Sequence, residues 1–239
     1  MANSQTSLAI TWLGHATFLI VLPSGQRLVT DPWLSGPTVP PEWSRIEALA
    51  PLHAVLVSHG HSDHSADAAA VSRATGAPVV CLVELGHYLS TKGVQNIRQM
   101  GVGGTQEIAG VRITMTPAVH TGSVLDQGQI VYTGGAAGFV IRAADAPTIY
   151  FAGDTALFGD MKIIRDRYAP DIAFLPIGDH DTMGAEDAAI AAEWLGVRQV
   201  VPMHWGTYPV LTGTPAALRA HLRNSAIEVL ELAPGETAE

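Results

Sequence analysis

The sequence predicts an α/β fold and suggests two β-sheets packed face to face with helices on the outside, while spacing alone leaves other α/β folds open. Three observations carry that prediction. A meander of short apolar strands opens the chain and gives way to strand–helix units. The same order, strands first and strand–helix units after, recurs in the second half. Apolar runs repeatedly end in a loop that presents a His or Asp, the position where α/β proteins place their sites.

Taken in order, residues 8–12 and 16–21 read as paired strands around Gly14-His15, and the turn Pro23-Ser24-Gly25-Gln26 leads to a strand over 27–30. A Pro-rich loop with Pro37, Pro40 and Pro41 precedes a short helical segment at 45–49. Residues 54–58 form a continuous apolar strand, and the Ala-rich stretch 66–75 reads as a helix stopped at Gly76. A strand over 79–83, a helix over 84–91 and strands over 96–100 and 111–116 follow, the last two separated by the turn Gly101-Val102-Gly103-Gly104. The Gly-rich stretch 134–138 precedes strand residues 139–142. Strands over 148–152, 172–177 and 200–203 then alternate with helices over 159–168, 185–195 and 215–224. A last strand is expected over 227–232. Residues 1–239 read as one domain with a frayed tail at 234–239. No repeat of fixed period and no low-complexity segment interrupts the chain.

Composition narrows the function classes. The chain has 239 residues, 47 % of them hydrophobic, enough for one large core. Its formal charge is −9, from 22 acidic and 13 basic residues, so it lacks the broad positive surface that nucleic-acid binding relies on. Cys81 is the only cysteine, which rules out an intrachain disulfide, and it lies in an apolar strand as a small buried hydrophobe. Residues 1–7 carry neither a basic residue nor an apolar run of signal-peptide length. No stretch approaches the roughly 18 apolar residues of a membrane span, so a cytoplasmic location is expected.

The chemistry centres on Ser58-His59-Gly60-His61-Ser62-Asp63-His64, which follows the apolar run Val55-Leu56-Val57. His59 and His61, two apart, can converge on one ion, while Asp63 and His64 can reach a second beside it. His120, Asp154 and His204 each follow an apolar strand in the same manner and complete a candidate set of seven.

At this H-x-H-x-D-H string the sequence resembles the metallo-β-lactamase superfamily, and in more detail the metal-dependent hydrolase branch that includes ascorbate-6-phosphate lactonase-like proteins. The resemblance extends from Trp12-Leu13-Gly14-His15 to His204-Trp205-Gly206-Thr207-Tyr208. It implies a four-layer αβ/βα sandwich with two mixed sheets. It assigns His59, His61 and His120 to one ion and Asp63, His64 and His204 to the other, with Asp154 bridging both. Two divalent ions about 3.5–4 Å apart can hold a water whose pKa falls toward ~7, giving a hydroxide nucleophile at neutral pH. The cofactors expected are two Zn2+, with Mn2+ or Fe2+ as alternatives because no cysteine joins the set. Asp63 or Asp154 could pass a proton to the leaving group.

Around that set, His15 is expected to contact substrate, and His180, in Gly178-Asp179-His180-Asp181, to sit at the rim as a substrate-binding group or general acid. Asp31, in Thr30-Asp31-Pro32, is expected to orient a ligand histidine. Lys162, Arg165 and Arg167 could attract an anion or simply form a solvated helix face. The leading expectation is a binuclear metal-dependent hydrolase acting on a small ester, lactone or phosphoester. The alternatives are a phosphodiesterase or nuclease of the same fold, or a non-hydrolytic iron-binding protein. The partner implied is a small-molecule substrate, with an anionic one suited to a cationic pocket. Nucleic acid is disfavoured, no membrane partner is indicated, and a homo-oligomer is left open.

Overall fold

The computed structural model describes residues 7–239. The expectation drawn from the start of the chain falls largely on residues 1–6 and lies outside the described residues. The first half contains β1 (Ala9–Gly14), β2 (Thr17–Val21), β3 (Arg27–Thr30), β4 (Ala54–Leu56), α1 (Ser62–Ser65), α2 (Ala68–Thr75), β5 (Val79–Leu82), α3 (Val83–Thr91) and β6 (Ile97–Met100). The second contains β7 (Thr105–Ile108), β8 (Val111–Pro117), β9 (Ser123–Asp126), β10 (Gln129–Tyr132), β11 (Ala137–Arg142), β12 (Ile149–Phe151), α4 (Met161–Tyr168), β13 (Ile172–Pro176), α5 (Ala185–Leu195), β14 (Gln199–Met203), α6 (Pro215–His221), β15 (Glu228–Val229) and β16 (Thr237–Ala238).

The strands form two mixed seven-stranded sheets, in the orders β16-β1-β2-β3-β4-β5-β6 and β15-β14-β13-β12-β11-β8-β7. In the first sheet the pairs up to β2–β3 are antiparallel and those from β3 to β6 are parallel. In the second the pairs from β7 to β12 are antiparallel and those from β12 to β15 are parallel. Each half thus converts from meander to crossover at its middle strand. The parallel strands are the continuous apolar runs: β4, β5, β12 and β13 are buried throughout, as strands covered on both faces must be. Helices α2 and α3 cover the first sheet, and α5, flanked by α4 and α6, covers the second.

The facing sheets meet through aromatic rings. Phe18 of β2 stands edge-on to Phe174 of β13, with centroids 4.8 Å apart, and both are buried. Burying a side chain of this size stabilises the fold by about 1.5–3 kcal/mol. Nearer the site, Trp12 stacks on Trp205 at 5.2 Å. The carbonyl of His15 accepts hydrogen bonds from Trp12 Nε1 at 3.0 Å and from the His204 backbone N–H at 3.1 Å. The β1–β2 turn of one sheet is thereby fastened to the end of β14 in the other.

Three features differ from the sequence expectation. The tail does not fray: Ala238 and Thr237 pair with Ile10 and Thr11, so β16 closes the edge of the first sheet. Residues 123–132, where the sequence reading assigns no element, form a separate two-stranded ribbon of β9 and β10. The turn at Gly101–Gly104 does not join neighbouring strands, because it leads from β6 in one sheet to β7 in the other. Among the described residues, no helix is long and apolar enough to cross a membrane.

Candidate metal centre

All seven predicted side chains meet at one place, at the carboxyl ends of β4, β8, β12 and β14. β4 delivers the loop that carries His59 and His61, and the single turn α1 then turns Asp63 and His64 inward. Two glycines make this approach feasible. A Cβ on Gly60, between the first two histidines, would overlap the Thr133 hydroxyl. Gly153 adopts φ +62, and a Cβ there would lie 2.8 Å from Ser58 Cβ and 2.7 Å from the Ala137 carbonyl oxygen. That close passage sets Asp154 beside His59.

The side chains form two groups that share one carboxylate. His61 Nδ1 lies 3.0 Å from His59 Nε2 and 3.4 Å from His120 Nε2. Asp63 Oδ2 lies 3.7 Å from both His64 Nε2 and His204 Nε2. Between the groups stands Asp154, whose Oδ2 is 3.1 Å from His204 Nε2, 3.2 Å from His64 Nε2, 3.7 Å from His120 Nε2 and 3.9 Å from His59 Nε2.

These residues fit divalent cations. A tetrahedral ion with bonds of about 2.0–2.1 Å holds its ligand atoms roughly 3.3 Å apart, and the spacings within each group fall around that value. His64 Nε2 is buried and, despite its proximity to Asp154, makes no hydrogen bond; Asp154 Oδ1 is likewise unpartnered. Orphaned buried groups of this kind are costly without a further partner. The nitrogen and carboxylate-oxygen donors suit zinc, manganese or iron alike.

The backing interactions hold the rings in place. Asp31, fully buried with φ +36, accepts from the Ser58 N–H and the Ser58 hydroxyl, both at 2.7 Å, and from His64 Nδ1 at 2.8 Å. Ser58 Oγ also lies 2.9 Å from His59 Nδ1. Asp31 thus takes the orienting position expected of it, and Ser58 joins it. Burial works against charge throughout. It pushes the titration of His59, His61 and His120 below the ordinary imidazole value. For His64 and His204 burial is outweighed by the facing Asp154, with Asp31 adding to it at His64, so that His204 is pushed up to about 9 and His64 is raised too. Asp154 and Asp63 stay well below the usual carboxylate range despite burial, through those same imidazoles and, for Asp63, through His15.

His15 does not take the expected position against substrate. Its side chain is only 1 % exposed, with Nε2 at 3.0 Å from Asp63 Oδ2 and Nδ1 at 2.8 Å from Thr207 Oγ1. Both ring nitrogens are used inside the protein, and the ring backs Asp63. His180 lies outside the cluster: its side chain is 58 % exposed and its Nε2 is 3.9 Å from Asp181 Oδ1. Lys162 stacks over Trp194, Arg165 pairs with Asp166 and Arg167 lies over Tyr168, so these three cations occupy the surface of α4 rather than the centre. Cys81 is buried, and its thiol is pushed up to about 12 by that burial. The open side of the centre is formed by His61, His120 and Asp63, each partly exposed, with Trp33 and Tyr208 packed together near His15 at its edge. Thr207 and Ser58 are the residues that sequence reasoning did not single out. Ser58 borders the motif, whereas Thr207 lies in the string that ends the resemblance, with nothing local to mark its bond to His15.

The fold and the centre together define a metal-dependent hydrolase. A beta-lactamase superfamily domain matches residues 26–205. A metal-dependent hydrolase of the UPF0173 group from Solibacter usitatus is 45 % identical over 97 % of this chain and 100 % of its own length. Another from Koribacter versatilis is 44 % identical over 96 % of this chain and 97 % of its own. The chain therefore belongs to the beta-lactamase superfamily and, within it, to the UPF0173 metal-dependent hydrolases. Among solved structures, Igni18, described as a novel metallo hydrolase from Ignicoccus hospitalis, superposes with a TM-score of 0.86 at 31 % identity, covering 98 % of each chain.

Proposed function

We propose that His59, His61 and His120 hold one divalent cation, that Asp63, His64 and His204 hold a second, and that Asp154 bridges them, so that the protein hydrolyses a small ester, lactone or phosphoester. The observation that carries this reading is the position of Asp154 Oδ2, within 3.1–3.9 Å of a ring nitrogen from each of His204, His64, His120 and His59. Bound there, the cations would supply Lewis acidity toward a substrate oxygen and a lowered pKa for water at the site. Zn2+ is the first expectation, with Mn2+ or Fe2+ able to use the same donors.

The chain's own residues do the rest. Asp31 and Ser58 keep the His64 and His59 rings turned inward, which spares the reaction the cost of ordering them. The partly exposed edge of His61, His120 and Asp63 admits a small reactant, while the buried side formed by His59, His64 and Asp154 excludes bulk water. Asp63, ionised at rest and the more exposed of the two acidic groups in the set, would take a proton from the attacking water and pass it on to a departing oxygen. No separate Ser or Cys nucleophile is required, and the one cysteine is buried away as a neutral thiol.

The test is hydrolysis by protein stripped with chelator and then reconstituted with Zn2+, Mn2+ or Fe2+, against a panel of lactones, acyl esters and p-nitrophenyl phosphodiesters. Metal-dependent turnover of one class supports the reading and names the substrate. Absence of turnover across the panel with any of the three metals contradicts it.

A further inference from the structure

We propose that Thr207 and His15 are positioning residues for the second cation: the Thr207 hydroxyl fixes which nitrogen of His15 carries its proton, and the resulting Nε2–H holds Asp63 toward the ion. This rests on the two-cation reading above.

An ionised carboxylate only accepts, so the 3.0 Å contact between His15 Nε2 and Asp63 Oδ2 needs the proton on Nε2. A neutral imidazole has one N–H, which leaves Nδ1 as an acceptor. The group facing Nδ1 is the Thr207 hydroxyl at 2.8 Å. A hydroxyl can donate there, and its other acceptor, the Trp205 carbonyl, is farther away at 3.5 Å. The chain therefore runs Thr207 O–H to Nδ1, then Nε2–H to Asp63. The neutral ring is what the surroundings favour. His15 is buried, with the rings of His204 at 4.0 Å and His64 at 5.4 Å between centroids, and a cation held by those rings makes a further positive charge there less favourable still.

Asp63 needs such an anchor. It sits in the four-residue α1 with its side chain 25 % exposed, whereas the Asp154 side chain is 3 % exposed. At 3.7 Å the His64 and His204 nitrogens hold this partly exposed carboxylate less closely than His15 does at 3.0 Å. The scaffold for the anchor is already rigid, because Thr207 follows His204 in one loop and the His204 N–H is bonded to the His15 carbonyl. Without the Thr207 proton the opposite tautomer becomes accessible. That tautomer turns a lone pair of His15 against a lone pair of Asp63.

The test titrates Zn2+ into chelator-stripped protein against a competing dye, with metal content measured in parallel. Thr207→Val keeps the shape of the residue and removes the hydroxyl; Thr207→Ser restores it. Outer-shell partners typically contribute 10–100-fold in metal affinity. Thr207→Val is expected to weaken the second ion by about that factor and leave the first unchanged, with Thr207→Ser close to wild type. His15→Gln places an amide N–H near Asp63 with no tautomer to choose, so adding Thr207→Val in that background should cost nothing more. Equal affinities for Thr207→Val and Thr207→Ser overturn the inference, as does a full Thr207→Val penalty in the His15→Gln background. Should His15→Gln fail to fold, the Val and Ser pair decides alone. Wild-type protein that binds fewer than two ions fails the two-cation reading itself. Wild type that binds two while Thr207→Val matches it fails only the positioning role.

Discussion

Asp31 Oδ2 and His64 Nδ1 lie 2.8 Å apart, both side chains fully buried, with the opposite nitrogen of the same ring aimed at Asp154. The carboxylate also accepts two bonds from Ser58, so it fixes the strand end and the ligand ring at once. Asp31→Asn keeps the size but replaces one acceptor oxygen with an NH2 that cannot receive the His64 or Ser58 proton. Metal affinity is expected to fall about 10–100-fold, read by competition with a chelating dye. Unchanged affinity would contradict an orienting role.

Protonation of the metal-free centre gives a pH dependence with a definite sign. Burial opposes charge on His204, but Asp154 and Asp63 push its titration up to about 9, and His64 is raised as well. The folded state therefore binds these protons more tightly than the unfolded chain, where histidine titrates near ~6.5. The stabilisation from His204 is complete below about pH 6.5 and is lost as pH rises through about 9, and that from His64 is likewise lost toward alkaline pH. Chelator-treated protein should show a Tm that falls over that interval. Cation binding requires neutral rings, so loading near pH 7 should release protons, measurable by calorimetry in buffers of different ionisation heat. A Tm that climbs between pH 6.5 and 9 in the metal-free protein would contradict the assignment.

A Cβ on Gly60, between the first two histidines, would overlap the Thr133 hydroxyl just past β10 and lie 3.2 Å from the Ser123 carbonyl oxygen of β9 in the two-stranded ribbon. Gly60→Ala must push that ribbon or the ligand loop aside, at a cost of about 1–3 kcal/mol. Denaturant unfolding is expected to show that loss together with weaker metal binding. Wild-type values for both would mean the ribbon does not brace the loop.

His180 tests the limits of the centre. A general acid contributes typically 10²–10⁴-fold, yet this ring is exposed and stands outside the cluster. His180→Ala is expected to lower kcat by less than about tenfold and to change stability by under ~0.5 kcal/mol. A loss of a thousandfold in kcat would return His180 to the catalytic set.

Most of the centre was legible because the information is local. The H-x-H-x-D-H string puts four side chains on one loop and one turn, and His120, Asp154 and His204 each announce themselves by ending an apolar strand. The two-halves pattern likewise gave both sheets. What escaped was non-local or compact. Thr207 meets His15 across 192 positions, and the tail pairs with β1 across more than 220, so no sequence window contains either partner. The ribbon turns at Gln127-Gly128, both at positive φ, a weaker sequence cue than Asn-Gly for the same geometry. The place of His15 is not fixed locally, because a histidine after Gly14 between strands reads equally as a rim or a buried group, and the partners that decide, Thr207 and Asp63, lie on other elements.

Metal counting on the purified chain tests most directly whether two cations share Asp154. Metal content per chain, measured by plasma emission after reconstitution and desalting, should be two for wild type, one each for His120→Ala and His204→Ala, and below one for Asp154→Ala. A wild-type content of one that His120→Ala and His204→Ala abolish alike would contradict a shared two-cation centre.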